Sequence, residues 1–501
     1  MRALLVYPEY PETFWNFKYA LRFIAKKASY PPLGLLTIAA MLPADWELRL
    51  VDMNVTALCD EDLRWAEVVC VSAMSIQQHS VRAIIDRCTA LGVRIMAGGP
   101  LFTAKPEDYP DVDYLVLNEA EVTLPAFLAD FQRGQARHLY TSGEVAEMRT
   151  TPAPRWDLID LRHYAAMSIQ YSRGCPFDCE FCNITALFGR VPRTKGTAQV
   201  LAELDRLYEA DWRGGVFFVD DNLIGPKQLV KRDLLPAIIA WMEAHHYPFV
   251  FNAQVSINLA DDAELIALLC RANFVSVFVG IESPNEESLQ ESNKIPNKDR
   301  DLVSCVDTIQ QSGLQVQAGF IVGFDSDPAS IFDRMINFIQ ESGIVTAMVG
   351  LLNAPVGTRL YQRLQREGRL LRDISGDNTN YSLNFIPKMN LDLLMHGYRK
   401  IIDALYSPNA YYERVKVFLS RYRPARQHIQ RPKFIHLVAL LKTVVLLGII
   451  EKERTYYWRL FFWSLFTRPR LLPLAIILTA YGFHFRKCFE QHLRAKQAVM
   501  S

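Results

Sequence analysis

The residues best suited to chemistry lie in Ser172-Arg173-Gly174-Cys175-Pro176-Phe177-Asp178-Cys179-Glu180-Phe181-Cys182-Asn183. Cys175, Cys179 and Cys182 are spaced CxxxCxxC and follow an apolar run, Ser168–Tyr171, that reads as a strand. Such a loop can turn three thiolates toward one 4Fe-4S cluster. Three ligands for four irons leave one iron open. An open iron can bind a small molecule through an amine and a carboxylate. The competing assignment is structural zinc, which wants four closed ligands, usually from paired motifs. No second pair is near, and Cys270, Cys305 and Cys488 stand singly in apolar or helical contexts. The apolar run after Met1-Arg2 is too short for a signal peptide, which points to a cytoplasmic chain with reduced thiols.

Two rounds of strand–helix alternation would position this loop. In residues 1–133, apolar runs at Ala3–Tyr7, Leu48–Val51, Val68–Ser72, Arg94–Ala97 and Tyr114–Leu117 alternate with helical patterns, clearest over Leu33–Leu42 and Gln77–Leu91. This spacing predicts an open, doubly wound parallel sheet. Gly98-Gly99-Pro100 follows the fourth run, where glycines either let a ligand approach the backbone or make a tight turn. Residues 134–167, with Thr151-Pro152-Ala153-Pro154, read as a linker. From 168 to 370 apolar runs recur at Ser168–Tyr171, Val216–Val219, Phe249–Phe251, Val275–Ile281, Val316–Val322 and Val345–Val349. Six such repeats predict a parallel barrel or part-barrel, with ligands at the strand C-terminal ends.

Residues 371–501 lose this rhythm and predict an α-helical tail. From Arg421 onward there are 15 Lys/Arg and 3 Glu, a balance of +12 against −11 for the rest of the chain. That asymmetry suggests an anionic surface and not a nucleic acid. Phe434–Ile450 and Leu471–Phe485 are strongly apolar but shorter than the ~20 residues that span a bilayer. Two readings stand: helices lying in a membrane interface, which would make the protein peripheral on the inner face of a membrane, or buried helices of the tail.

With Phe181 just before its third Cys, the motif resembles the signature of the radical S-adenosylmethionine superfamily, and the six-repeat pattern agrees with that family's part-barrel. The resemblance implies one-electron reduction of S-adenosylmethionine by a donor such as flavodoxin or ferredoxin. The resulting 5′-deoxyadenosyl radical abstracts hydrogen from an unreactive carbon. It also implies that acids at strand ends, Asp220, Asp221 and Glu282, contact the amine and ribose of S-adenosylmethionine, as carboxylates suit ammonium and hydroxyl donors. The alternative use of each is a helix cap. For Arg193, facing the site and facing solvent are equal readings.

The domain order, with Pro154-Arg155-Trp156-Asp157-Leu158 in the linker, resembles the cobalamin-binding class of these enzymes. That resemblance puts Ser72, Gly98 and Gly99 beside the nucleotide tail of cobalamin. The stretch Asp52-Met53-Asn54-Val55-Thr56-Ala57 lacks both the His and the Gly of the DxHxxG pattern. Either the cobalt takes no protein His, the favoured reading, or the domain is a scaffold without cobalamin. The family's Gly before the Glu of the fifth strand end is here Asn118-Glu119. Tyr30-Pro31-Pro32-Leu33-Gly34-Leu35-Leu36, Glu180-Phe181-Cys182-Asn183-Ile184 and Phe218-Val219-Asp220-Asp221-Asn222 are similar to segments of bacterial hopanoid methylases. This implies methyl transfer to an unactivated carbon of a lipid or other hydrophobic small molecule, with cobalamin carrying a methyl group taken from a second S-adenosylmethionine. The alternatives are a radical cyclase or rearrangement enzyme of the same architecture, with or without cobalamin, and a membrane-bound binding or redox-sensing protein with a cluster but no turnover. The sensor would show a fourth Cys closing the cluster, and none is evident.

Overall fold

The computed structural model describes residues 1–371, 376–377, 381–424 and 434–500. They form two compact units: Met1–Pro11, Lys27–Cys175 and Asn183–Asp220 in the first, and Glu12–Lys26, Pro176–Cys182 and Asp221–Ser501 in the second.

The first unit contains a parallel sheet of β1 (Arg2–Tyr7), β2 (Glu47–Asp52), β3 (Val68–Ser72), β4 (Arg94–Gly98), β5 (Tyr114–Val116) and β6 (Leu139–Tyr140), in the order β2-β1-β3-β4-β5-β6. Side chains of β1 alternate between two cores, as a strand's period of two requires. Leu4 and Val6 join the helix Gln78–Leu91 through Val81, Ile84 and Ile85. Ala3 and Leu5 join the helices Leu33–Met41 and Ala120–Gln132 through Leu35, Leu124 and Phe127. Helices thus cover both faces, the doubly wound layout expected from the sequence. The order reverses between β1 and β3, so the crevice that such sheets use for ligands lies at the C-terminal ends of these two strands. The segment 134–167 contributes β6, paired with β5.

The unit also holds β7 (Ala166–Ile169), β8 (Ser172–Arg173), β9 (Arg193–Thr194) and β10 (Gly215–Phe218). β7 and β10 pair in parallel, and β8 and β9 form an antiparallel pair.

In the second unit β11 (Val250–Val255), β12 (Phe274–Glu282), β13 (Gln315–Val322) and β14 (Ala347–Leu351) pair in parallel in chain order. The helices Ala263–Arg271, Leu302–Gln311 and Ile331–Ser342 connect them, the strand–helix repeat read from the sequence. The last strand begins two residues later than its apolar run suggests. Ile344, Val345 and Thr346 are buried as fully as the strand, so hydropathy marks no edge there. Helices Leu391–Tyr406, Pro408–Arg421, Phe434–Val445, Arg454–Thr467 and Leu472–Met500 make the tail, with a π-helical turn at Leu446–Ile450. Among the described residues no helix is long and apolar enough to cross a membrane.

Candidate active site

In the first unit, the approach to the cysteine loop is fixed by close packing and by buried charge. Gly174 has φ +93°, and a Cβ there would lie 3.1 Å from the carbonyl oxygens of Gly189 and Val191. Only glycine suits that turn. Cys175 N–H donates to the Gly189 carbonyl at 3.4 Å. Arg173 Nη1 reaches Glu119 Oε1 at 2.9 Å and its Nη2 reaches Glu121 Oε1 at 2.7 Å. Arg193 Nη1 meets the same Glu119 at 2.9 Å and donates to the Ala146 carbonyl at 2.7 Å. Arg193 therefore turns toward these partners and not toward solvent. Burial alone would raise the Glu121 carboxyl, but Arg173 holds it below the ordinary carboxylate value. The two arginines flank the loop on β8 and β9, and the acids stand at the start of the helix that follows β5.

Asn118, just before Glu119, has φ +62°. Glycine adopts that conformation freely and asparagine is among the few residues that tolerate it. Asn118 thus takes a backbone conformation that a glycine in its place would also adopt.

Asp220 is fully buried and its carboxylate accepts from Ser172 Oγ at 2.6 Å, from Tyr171 N–H at 3.1 Å and from Ser172 N–H. It thereby anchors the residues that lead into Cys175.

At the crevice of the doubly wound sheet, Ser72 and Gly98 end neighbouring strands. A Cβ on Gly98 would lie 2.5 Å from the Val116 carbonyl oxygen, and one on Gly99 (φ +90°) would lie 2.7 Å from Ser72 Oγ. These glycines let adjoining strand ends close together and leave backbone, not side chains, on that surface. Asn54 occupies the position of the pattern's His. Its Oδ1 accepts from Tyr10 N–H at 2.9 Å, and its Nδ2 donates to Asp52 Oδ1 at 2.8 Å and the Pro8 carbonyl at 3.3 Å. Asp52 also accepts from Tyr164 OH at 3.0 Å. An amide so engaged offers cobalt no nitrogen, and the small residues at the strand ends suit a flat cofactor held by backbone.

In the second unit the rest of the loop is tied down on several sides. Cys182 N–H donates to the Cys179 carbonyl at 3.2 Å, closing a turn that carries both thiols. Glu180 N–H donates to the Ser292 carbonyl at 2.8 Å, and Asn293 Nδ2 to the Asp178 carbonyl at 2.9 Å. The helix Arg359–Arg366 grips both acids of the motif: Arg359 Nη1 lies 2.5 Å from Asp178, and Arg363 reaches Glu180 at 2.8 and 3.1 Å. Leu360 N–H donates to the Glu180 carbonyl at 2.9 Å. Phe181 packs edge-on against Phe324, with centroids 6.1 Å apart.

Glu282 closes β12 with φ +64°, beside a register shift between Gly280 and Glu282. A bulge of this kind re-aims a side chain. Its carboxylate meets Lys294 Nζ at 2.6 Å. Burial pulls the Lys294 ammonium down, but Glu282 and the sulfurs of Cys179 and Cys182 raise it overall, so it stays charged. Gly280 makes room for the pair, since a Cβ there would lie 2.8 Å from Lys294 Nζ. Asp221 is half-buried at the head of this unit's last segment. Lys294, Arg359 and Arg363 are absent from any sequence reading. No local motif marks them, and only the chain's return to the loop reveals them.

Among the described residues no three His, Cys, Asp or Glu side chains draw close enough to share a single metal ion. A four-iron cluster asks for less convergence, because each thiolate binds its own iron. The chemistry of the donor set, three thiols in one loop with the partly buried Lys294 beside Cys179 and Cys182, suits an anionic cluster.

Residues 24–128 match the B12 binding domain family, 169–339 the Radical SAM superfamily, and 358–498 a domain of unknown function, DUF4070. An uncharacterized methyltransferase of Synechocystis sp. is 41% identical over 490 residues, 97% of this chain and 91% of that protein. The hopanoid C-2 methylase of Rhodopseudomonas palustris is 33% identical over 470 residues, 91% of this chain and 88% of that one. The solved radical S-adenosylmethionine methyltransferase TsrM from Kitasatospora setae, with cobalamin and a 4Fe-4S cluster bound, shares the fold over 100% of both chains, with TM-score 0.60 at 14% identity. The cofactors that go with the two matched catalytic domains are a 4Fe-4S cluster, S-adenosylmethionine and cobalamin. The chain belongs to the radical S-adenosylmethionine methyltransferases built with a B12-binding domain.

Proposed function

We propose that this enzyme transfers a methyl group to an unactivated carbon of a lipid or other hydrophobic small molecule, with Cys175, Cys179 and Cys182 as the cluster ligands. The observation that carries the reading is the near full-length similarity to a hopanoid C-2 methylase, over a chain whose three-cysteine loop is complete. A reduced thiolate loop suits a reducing compartment, so the cytoplasm is its place, with an electron donor of the flavodoxin or ferredoxin class. When bound, the cluster and S-adenosylmethionine supply a carbon-centred radical, and cobalamin supplies the methyl group.

The chain's own residues hold and orient. Cys175, Cys179 and Cys182 bind three irons. Glu282 and Lys294 present opposite charges beside two of those thiols, matching the ammonium and carboxylate of an amino-acid end. Asp221 follows the strand β10 and is assigned to the ribose hydroxyls. Asp220 acts through Ser172, positioning the loop. Ser72, Gly98 and Gly99 would line the nucleotide tail of cobalamin, and Asn54, bonded to Tyr10, Asp52 and Pro8, would offer it no His.

Anaerobic protein with labelled S-adenosylmethionine and a lipid extract should yield a lipid heavier by one methylene. Product of unchanged carbon count would favour the cyclase reading. Each single Cys175→Ala, Cys179→Ala or Cys182→Ala variant should lose the cluster's absorbance and 5′-deoxyadenosine formation, and full activity in any of them overturns the ligand set. The cob(II)alamin form should lack imidazole nitrogen coupling in its electron paramagnetic resonance spectrum.

A further inference from the structure

The helix Phe434–Val445 and its π-helical turn bury one side and leave the other bare. Leu447 is buried with Tyr19, Phe23 and Phe483, in a packed cluster that also takes Tyr457 from the next helix. On the outer side Leu437, Leu441, Val445 and Ile449 recur at steps of four, each between 49% and 59% exposed. Four-residue spacing puts them in one stripe along the helix. The helix Arg454–Thr467 repeats the pattern, with Phe462 and Phe466 exposed four residues apart and stacked at 6.3 Å. Phe466 is 78% exposed. Single exposed apolar residues are ordinary, but a contiguous stripe marks a contact surface.

The charge pattern selects the partner. From Leu437 to Ile477 every exposed charged side chain is basic: Lys442, Lys452, Arg454, Arg459 and Arg470. The two acids of the stretch, Glu451 and Glu453, pair with Lys487 and Arg486. A second copy of the chain would bring like charges together across a two-fold contact. An anionic bilayer would attract them, and its acyl boundary would take up the stripe. Among the described residues no helix is long and apolar enough to cross. We infer that this face inserts its apolar stripe into one leaflet of an anionic membrane, with the basic residues at headgroup level.

The inference deepens the proposed reading, since a hydrophobic substrate would be met at that surface, yet its test does not need turnover. Full-length holoenzyme is floated with phosphatidylcholine vesicles, with and without phosphatidylglycerol. It should float with the anionic vesicles, and added salt should weaken but not abolish this, because apolar insertion is not screened. Leu441→Asp with Phe466→Asp should lower the vesicle-bound fraction about tenfold or more. Both positions are already exposed, so cluster absorbance should be unchanged. Arg454→Glu with Arg459→Glu should remove the preference for phosphatidylglycerol. Wild-type protein that stays with the pellet, or double variants that float like wild type, would overturn the assignment. So would a wild-type dimer, seen by sedimentation, that the Leu441→Asp and Phe466→Asp changes convert to monomer without vesicle binding. Methyl transfer to a detergent-dispersed substrate reports separately on the proposed reaction.

Discussion

Replacing Arg363 by alanine should loosen the cysteine loop although Arg363 is no ligand and lies 181 residues beyond Cys182 in sequence. Its guanidinium contacts Glu180 at 2.8 and 3.1 Å, Asp325 at 2.8 Å and Glu291 at 3.3 Å. Asp325, held down to about 2 by Arg369 and Arg363 against the opposing effect of burial, would keep Arg369 at 2.6 Å. Glu180, with a nearly buried side chain, would lose its arginine between Cys179 and Cys182. Breaking a fully buried pair costs about 3–5 kcal/mol, and this site is partly open, so about 2–3 kcal/mol is expected. At 1.4 kcal/mol per tenfold, the anchored loop would become roughly 30- to 150-fold less favoured over loosened forms. Iron content after anaerobic reconstitution should fall, as should the rate of 5′-deoxyadenosine formation. The urea midpoint should drop in parallel. Arg363→Lys keeps the charge but loses the fork, so it should recover only part. A double-mutant cycle with Glu180→Gln should show coupling of about 1 kcal/mol or more. Wild-type stability and cluster content in Arg363→Ala would refute the argument.

Gly98→Ala should cost about 2–3 kcal/mol, read as a lower urea midpoint with weakened cobalamin retention, because its Cβ would meet the Val116 carbonyl at 2.5 Å. Asp327, pushed up to about 6 by burial despite bonds from Ser288, Gly323 N–H and Phe324 N–H, contributes stability below its ordinary value that is lost as pH rises through 6. Melting temperature should decline over that window, and Asp327→Asn should flatten the decline. His484, lowered to about 4 by burial while its ring nitrogen bonds the Phe14 carbonyl at 3.0 Å, acts in the opposite sense. Its contribution is intact above 6.5 and lost as pH falls toward 4, so a His484→Gln variant should show a shallower acid-side loss in the same melts.

The fold was legible where burial is one-sided or rhythmic. The doubly wound sheet alternates between two cores, and that alternation is written in runs such as Ala3–Tyr7. The last barrel strand was displaced because Ile344–Thr346 are buried just as deeply. The tail was legible as helical but not as to its faces. Composition shows that Phe434–Ile450 is apolar, while only coordinates show that Leu447 points inward and Leu441 outward.

At the site, spacing singles out the cysteines because a candidate ligand set within one loop is local, but it does not show what holds that loop. Arg173 finds Glu119 from 54 residues away, and Arg359 finds Asp178 from 181. A charged side chain in a sequence carries no label of its partner, so such pairs read as solvated surface. Asp220 is different again. A carboxylate at a strand end suits a bound ammonium and a backbone N–H equally well, and its donors on Ser172 are too distant in sequence to be read from spacing. Asn118 shows the converse. It departs from the family's Gly in letters, yet its φ is one that glycine adopts freely. The use of ion pairs around this loop has a physical reason. A loop that must present thiolates to a polar cluster cannot be fixed by apolar burial, which is non-directional. Paired arginines and carboxylates fix it by geometry, since a guanidinium fork accepts a carboxylate in few orientations. Arg359 and Arg363, at the start of the region matched by the domain of unknown function, thus hold the cysteine loop in register.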